Sequence, residues 1–152
     1  MSDHKKRRLE LLCRLREMHV EQARADHVVA QTELDERREK ADDTERRLQT
    51  LDEWAVGQLT GGMPLLPEIL HQAQLFRGAE KQTLEQQRAD EAQSQQRTAA
   101  AHDELKQRFE QLSVVERLAI RLAADHTLDH NRRAAVSLDE AGMQRKNLES
   151  QE

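Results

Sequence analysis

Helix-breaking residues crowd into one short stretch of this chain, at Gly57, Gly61, Gly62, Pro64 and Pro67, and none stands between Lys5 and Val56. Gly78 and Gly142 are isolated, and a lone glycine costs a helix only about 1 kcal/mol. One domain over residues 1–152 is therefore expected, with a helix over about 5–56, a loop over about 57–66 and a second helix over about 67–148. Pro67 suits the first turn of that second helix, where its missing N–H is harmless, and Glu68 meets the positive end of the helix dipole.

Composition decides what such helices can do. Charged residues make up 35% of the chain and aromatics 2%, with mean hydropathy −0.95. That is too little large apolar surface for a compact two-layer core. Disorder fits no better, since the net charge is only −5 and Ala, Leu, Glu, Arg and Gln dominate, all residues that lose little rotamer freedom in a helix. An all-α fold remains: two long helices forming an antiparallel coiled-coil hairpin with a thin seam.

The apolar spacing draws that seam. Leu9, Cys13, Arg16, Val20, Ala23, His27, Ala30, Leu34, Arg37, Ala41, Thr44, Leu48, Leu51 and Ala55 follow an alternating four-three step. On the second helix Leu70, Ala73, Arg77 and Leu84 begin the same step, and Leu105, Phe109, Leu112, Glu116, Ala119 and Ala123 resume it. No large aliphatic residue, Phe, Trp or Tyr lies between Leu84 and Leu105, so a thinly packed middle is expected. Counting outward from a loop centred near Gly61 pairs Leu51 with His71, Leu48 with Gln74 or Leu75, Leu34 with Arg88 and Leu9 with Ser113. Val114 to Leu148 then has no counterpart. At about 1.5 Å per residue the paired part would be a rod of roughly 75 Å, an elongated monomer whose hairpin occupies both seams.

Several chemistries are excluded or disfavoured. The chain has no stretch of about 18 apolar residues to cross a membrane, and the run after Lys5-Lys6-Arg7-Arg8 breaks at Arg14, Arg16 and Glu17, too early for a signal peptide. A cytoplasmic protein is expected. Nucleic acid is disfavoured by a pI near 5.8 and the lack of a basic face interleaved with aromatics. His126 and His130 share one helical face but lack a third ligand, so no metal is expected, nor any other cofactor. Cys13 on the seam reads as a small buried hydrophobe, and Gly61-Gly62 leads to Met63 rather than to a phosphate loop. No enzyme is expected.

Two features point to binding instead. The basic start, with Leu11, Leu12, Leu15 and Met18 behind it, suits an acidic pore, an anionic lipid surface or simple solvation. Trp54 and Phe76 flank the loop, and with Leu59, Met63, Leu65, Leu66, Ile69, Leu70 and Leu75 they form the most apolar stretch of the chain. It reads either as closure of the hairpin or as an exposed interface.

With these elements in place the chain resembles the FliJ/YscO family of type III flagellar and virulence export stalk proteins. The resemblance rests on the basic start, the unbroken first helix, the Gly/Pro loop, the longer second helix, the segment Leu70-His71-Gln72-Ala73-Gln74-Leu75-Phe76 and the tail from Leu128 through Lys146. It implies a cytoplasmic coiled coil, peripheral to the inner-membrane export apparatus, whose free ends enter a hexameric export ATPase. It further implies contact with the export-gate membrane protein and, in some members, with secretion chaperones, without membrane insertion. Carried onto this sequence, ATPase-ring binding falls to Lys5, Arg8, Leu12, Leu15, Arg132, Arg133 and Arg145, and gate binding at the tip to Leu70, Leu75 and Phe76. Gly78 departs from the family pattern and could kink the helix beside Phe76. The alternatives are a prefoldin-like holdase chaperone and a self-associating scaffold.

Overall fold

The computed structural model describes residues 3–62, 64 and 66–150. Met63 and Leu65, counted above among the apolar tip residues, lie outside them. The chain forms two helices, α1 (Asp3–Thr60) and α2 (Pro67–Glu149), folded as a hairpin. α2 is unbroken through Gly78 and Gly142.

The first helix passes the glycine that was expected to end it. Gly57 is helical, and its neighbours Ala55 and Gln58 stay half-buried on the seam, which offsets a propensity cost of about 1 kcal/mol. The helix ends at Thr60: the Gly61 N–H donates to the Gly57 carbonyl at 2.9 Å, and Gly62 turns the chain away at φ 70°, a left-handed conformation that glycine adopts without strain. α2 opens at Pro67. The Leu66 carbonyl accepts from the N–H groups of Ile69 and Leu70 at 3.0 and 3.3 Å, so the proline takes the one position where its missing donor costs nothing.

Because α1 runs on, the chain reverses nearer Pro64 than Gly61, and the pairing expected from the sequence is displaced. Arg77 pairs with Asp52 at 2.7 Å, Arg47 with Glu80 at 3.4 Å and Arg38 with Glu91 at 3.1 Å. Leu51 is thus level with Arg77 instead of His71, Leu48 with Glu80 instead of Gln74 or Leu75, and Leu34 with Ser94 instead of Arg88. Near the termini Leu9 shares a groove with Ala119, not with Ser113. The same groove places Asp3 and Lys6 beside His126 and Thr127, so the unpaired part of α2 begins near Leu128 and not at Val114.

The seam of α1 is as the spacing dictates: every residue named for it is buried or half-buried. On α2 the phase differs by one residue beyond Leu105. Arg108, Val115 and Leu122 turn inward, while Phe109, Glu116 and Ala123 are exposed. Carrying the seven-residue step from Leu84 through Glu91, Thr98, Leu105 and Leu112 gives this phase; following the ring of Phe109 does not.

The chain packs as two units, residues 22–106 and residues 1–21 with 107–152. In the first, Ala23, Leu34, Ala41, Thr44, Leu48, Ser94 and Thr98 are buried. The middle is therefore close-packed where it was expected to be thin. Small residues permit it: Ser94 is level with Leu34, and the Thr98 hydroxyl lies 3.1 Å from the Ala30 carbonyl of the other helix and 3.0 Å from its own Ser94 carbonyl. Thr44 is fully buried, and its hydroxyl is satisfied by donating to the Lys40 carbonyl at 3.1 Å. In the second unit Val20 and Val115 are buried, and Arg16 donates to Gln111 Oε1 at 2.8 Å.

Candidate binding surfaces

Ion pairs link the two helices of the 22–106 unit. Arg88 reaches from α2 to Asp42 at 3.0 Å and Glu45 at 2.5 Å on α1, and to Glu91 of its own helix at 2.7 Å. Arg38 adds a second donor to Glu91. The hydrogen bond from Arg88, aided by Arg38, holds the Glu91 carboxyl below the usual glutamate range against the opposing effect of burial. In turn Glu91 and then Asp42 hold the Arg88 guanidinium more firmly charged. Arg88 is a third exposed, so each pair contributes modestly. Together they favour one register, since a shift along the seam would strand several charges at once.

A pH dependence follows. The stability from Glu91 is fully present above its unfolded value of about 4.3 and is lost as pH falls through the lower folded value. Thermal melts between neutral pH and about pH 3 are expected to show this loss. Glu91→Gln should destabilise the neutral hairpin by about 1 kcal/mol and flatten that part of the acid response.

At the loop end of the same unit, the three expected tip residues divide. Leu70 is half-buried on the seam and closes the hairpin, whereas Leu75 and Phe76 are 62% and 53% exposed. Ile69 and Trp54 are also exposed. Trp54, Ile69 and Phe76 each stand one residue ahead of a seam position (Ala55, Leu70 and Arg77), which in an antiparallel pair puts them on one flank. Those rings and aliphatic chains form an apolar surface on an otherwise charged protein.

In the unit holding the termini, α1 and α2 leave a groove lined by Leu9, Cys13, Ala119 and Ala123, rimmed by Asp3, Glu10 and Glu17. Lys5, Arg8, Leu12 and Leu15 are not in it. They are exposed on the other flank of α1. Arg132, Arg133 and Arg145 are exposed on the unpaired run of α2, together with Leu128, Val136, Leu138, Met143 and Leu148. The sequence-expected ring-binding residues thus fall on two separate surfaces of this unit.

His126, Asp129, His130 and Arg133 line a cleft, and among the described residues no group of three or more His, Cys, Asp or Glu side chains is placed to hold a metal ion. No described helix is long and apolar enough to cross a membrane. Compared with family models, curated proteins and solved structures, the chain matches none. The reading of its function rests on its surfaces.

Proposed function

We propose that this chain is a stalk of the FliJ/YscO type, cytoplasmic and peripheral to the inner-membrane export apparatus. It joins a hexameric export ATPase through the end that holds both termini and an export-gate protein through its loop end, with secretion chaperones as further partners. The observation that carries the reading is the run of α2 beyond Thr127, where every described residue is exposed and large apolar side chains recur with no other described residue covering them. A helix of that length is marginal in water by itself, and a partner that covers it supplies the missing burial. The exposed aromatics at the tip give the 22–106 unit a binding surface of its own.

Deleting residues 134–152 tests the reading. The side chains of residues 134–150 are exposed, so the hairpin's melting transition is expected to stay within about 1 kcal/mol of the full chain. Stimulation of the cognate export ATPase is expected to be lost. A truncated chain that stimulates as well as the full one would show the tail assignment to be wrong. A chain that instead suppresses aggregation of unrelated unfolded proteins through its tip would be a holdase, and one that oligomerises alone would be a scaffold.

A further inference from the structure

We propose that one flank of the terminal unit binds an anionic lipid surface, through Lys5, Arg8, Leu12 and Leu15 of α1 and Val114 and Leu118 of α2. This goes beyond the stalk reading and does not depend on it.

The carboxylates at the start of α1 are segregated to one side, where Lys6 and Arg14 accompany them. All three carboxylates among residues 3–20, Asp3, Glu10 and Glu17, recur at a seven-residue step and line the groove on one side of the hairpin. The opposite side presents none from α1, although the chain as a whole is acidic at −5. There Leu12, Leu15, Val114 and Leu118 are 37%, 47%, 63% and 46% exposed, with Lys5, Arg8 and Arg121 together at the terminal end, as the pairing of Leu9 with Ala119 requires. Asp125, seven residues beyond Leu118, continues that stripe of α2 at the terminal end, beyond the apolar residues, and is the carboxylate α2 adds there. Among the described residues no ion pair engages Lys5, Arg8 or Arg121, in contrast to Arg38, Arg77 and Arg88 of the other unit.

The spread of apolar residues selects a lipid surface over a partner helix. A helix lodged between α1 and α2 would cover Leu12 and Leu118 but not Leu11 and Met18, which project from the outer ridge of α1 and are 64% and 68% exposed. A fluid interface into which α1 sinks part-way reaches all of them, while the lysine and arginine stems extend to headgroup phosphates. Basic residues at an anionic leaflet each strengthen binding about fivefold.

The test is flotation of the full chain with phosphatidylcholine vesicles, with and without phosphatidylglycerol. Binding to the anionic vesicles is expected to be at least tenfold tighter and to weaken with salt. The double variant Lys5→Glu/Arg8→Glu is expected to lose at least about twentyfold with helicity unchanged, and Leu15→Ser/Leu118→Ser to lose binding to the same vesicles. Glu10→Gln/Glu17→Gln, on the groove side, should retain it. Equal binding to both vesicles, no binding, or equal loss from the groove-side variant would overturn the proposal. If vesicles are not bound and Lys5→Glu/Arg8→Glu instead abolishes ATPase stimulation, the flank belongs to an acidic protein surface. The chain lacking residues 134–152 separates the two proposals, because loss of ATPase stimulation with vesicle binding intact supports both independently.

Discussion

Replacing Ser94 with leucine is expected to lower the stability of the hairpin by about 3 kcal/mol, seen as a fall in the helical melting temperature of roughly 10 °C. Ser94 is 2% exposed and level with Leu34, itself 4% exposed, at a point where the Thr98 hydroxyl comes within 3.1 Å of the opposing backbone. Three more carbons have nowhere to go unless the helices separate, and separation would pull Arg88 from Asp42 and Glu45 nearby. Ser94→Ala removes a small polar group without adding volume, and it should change stability by less than about 1 kcal/mol. In a coiled coil with a loose middle the leucine would fill space and stabilise. A melt of Ser94→Leu at or above the parent temperature would therefore show that the middle is not close-packed.

That middle also shows what could be read from the sequence and what could not. The seam of α1 was legible residue by residue because its step is regular from Leu9 to Ala55, and polar members such as Arg16 and Thr44 did not disturb it. Between Leu84 and Leu105 the absence of large apolar residues suggested weakness. Volume alone does not measure packing, however: Ser94 and Thr98 bury almost completely because their small side chains let the backbones approach. The register could not be read because it hinged on one glycine. Gly57 looks like a breaker among breakers, yet the neighbouring seam contacts carry the helix through it, and that extension displaces every pair along the hairpin.

The surfaces divide in the same way. The sequence left the tip open between closure and interface, and the structure divides it, with Leu70 on the seam and Trp54 and Phe76 exposed. The sequence grouped Lys5, Arg8, Leu12 and Leu15 with the distant Arg132, Arg133 and Arg145, whereas the structure sets the first four on a flank of paired helix and the others on an unpaired run. Heptad positions contain the signal that separates them: Asp3, Glu10 and Glu17 share one stripe and the four share another. The phase has to be known before that signal can be used.

The tip gives the largest expected effect on binding. Phe76 is 53% exposed, so truncating it to alanine removes little buried surface, and the hairpin is expected to melt within about 1 kcal/mol of the parent. A ring buried in the seam would instead have cost roughly 3 kcal/mol or more. If the flank formed by Trp54, Ile69 and Phe76 docks on the cytoplasmic domain of an export gate, the same change is expected to weaken that complex by at least about thirtyfold, the loss of roughly 2 kcal/mol typical of an aromatic anchor. Trp54 is the single tryptophan of the chain, stands on that flank and is 37% exposed, so its emission should shift to shorter wavelength when the partner covers it. Fluorescence titration of the parent and of Phe76→Ala, beside thermal melts of both, reads stability and binding on one pair of proteins. A collapsed melt with a proportional loss of affinity would make Phe76 a structural residue. An unchanged melt with an unchanged titration would remove it from the interface, because an exposed ring that neither steadies the hairpin nor meets a partner has no role at this tip.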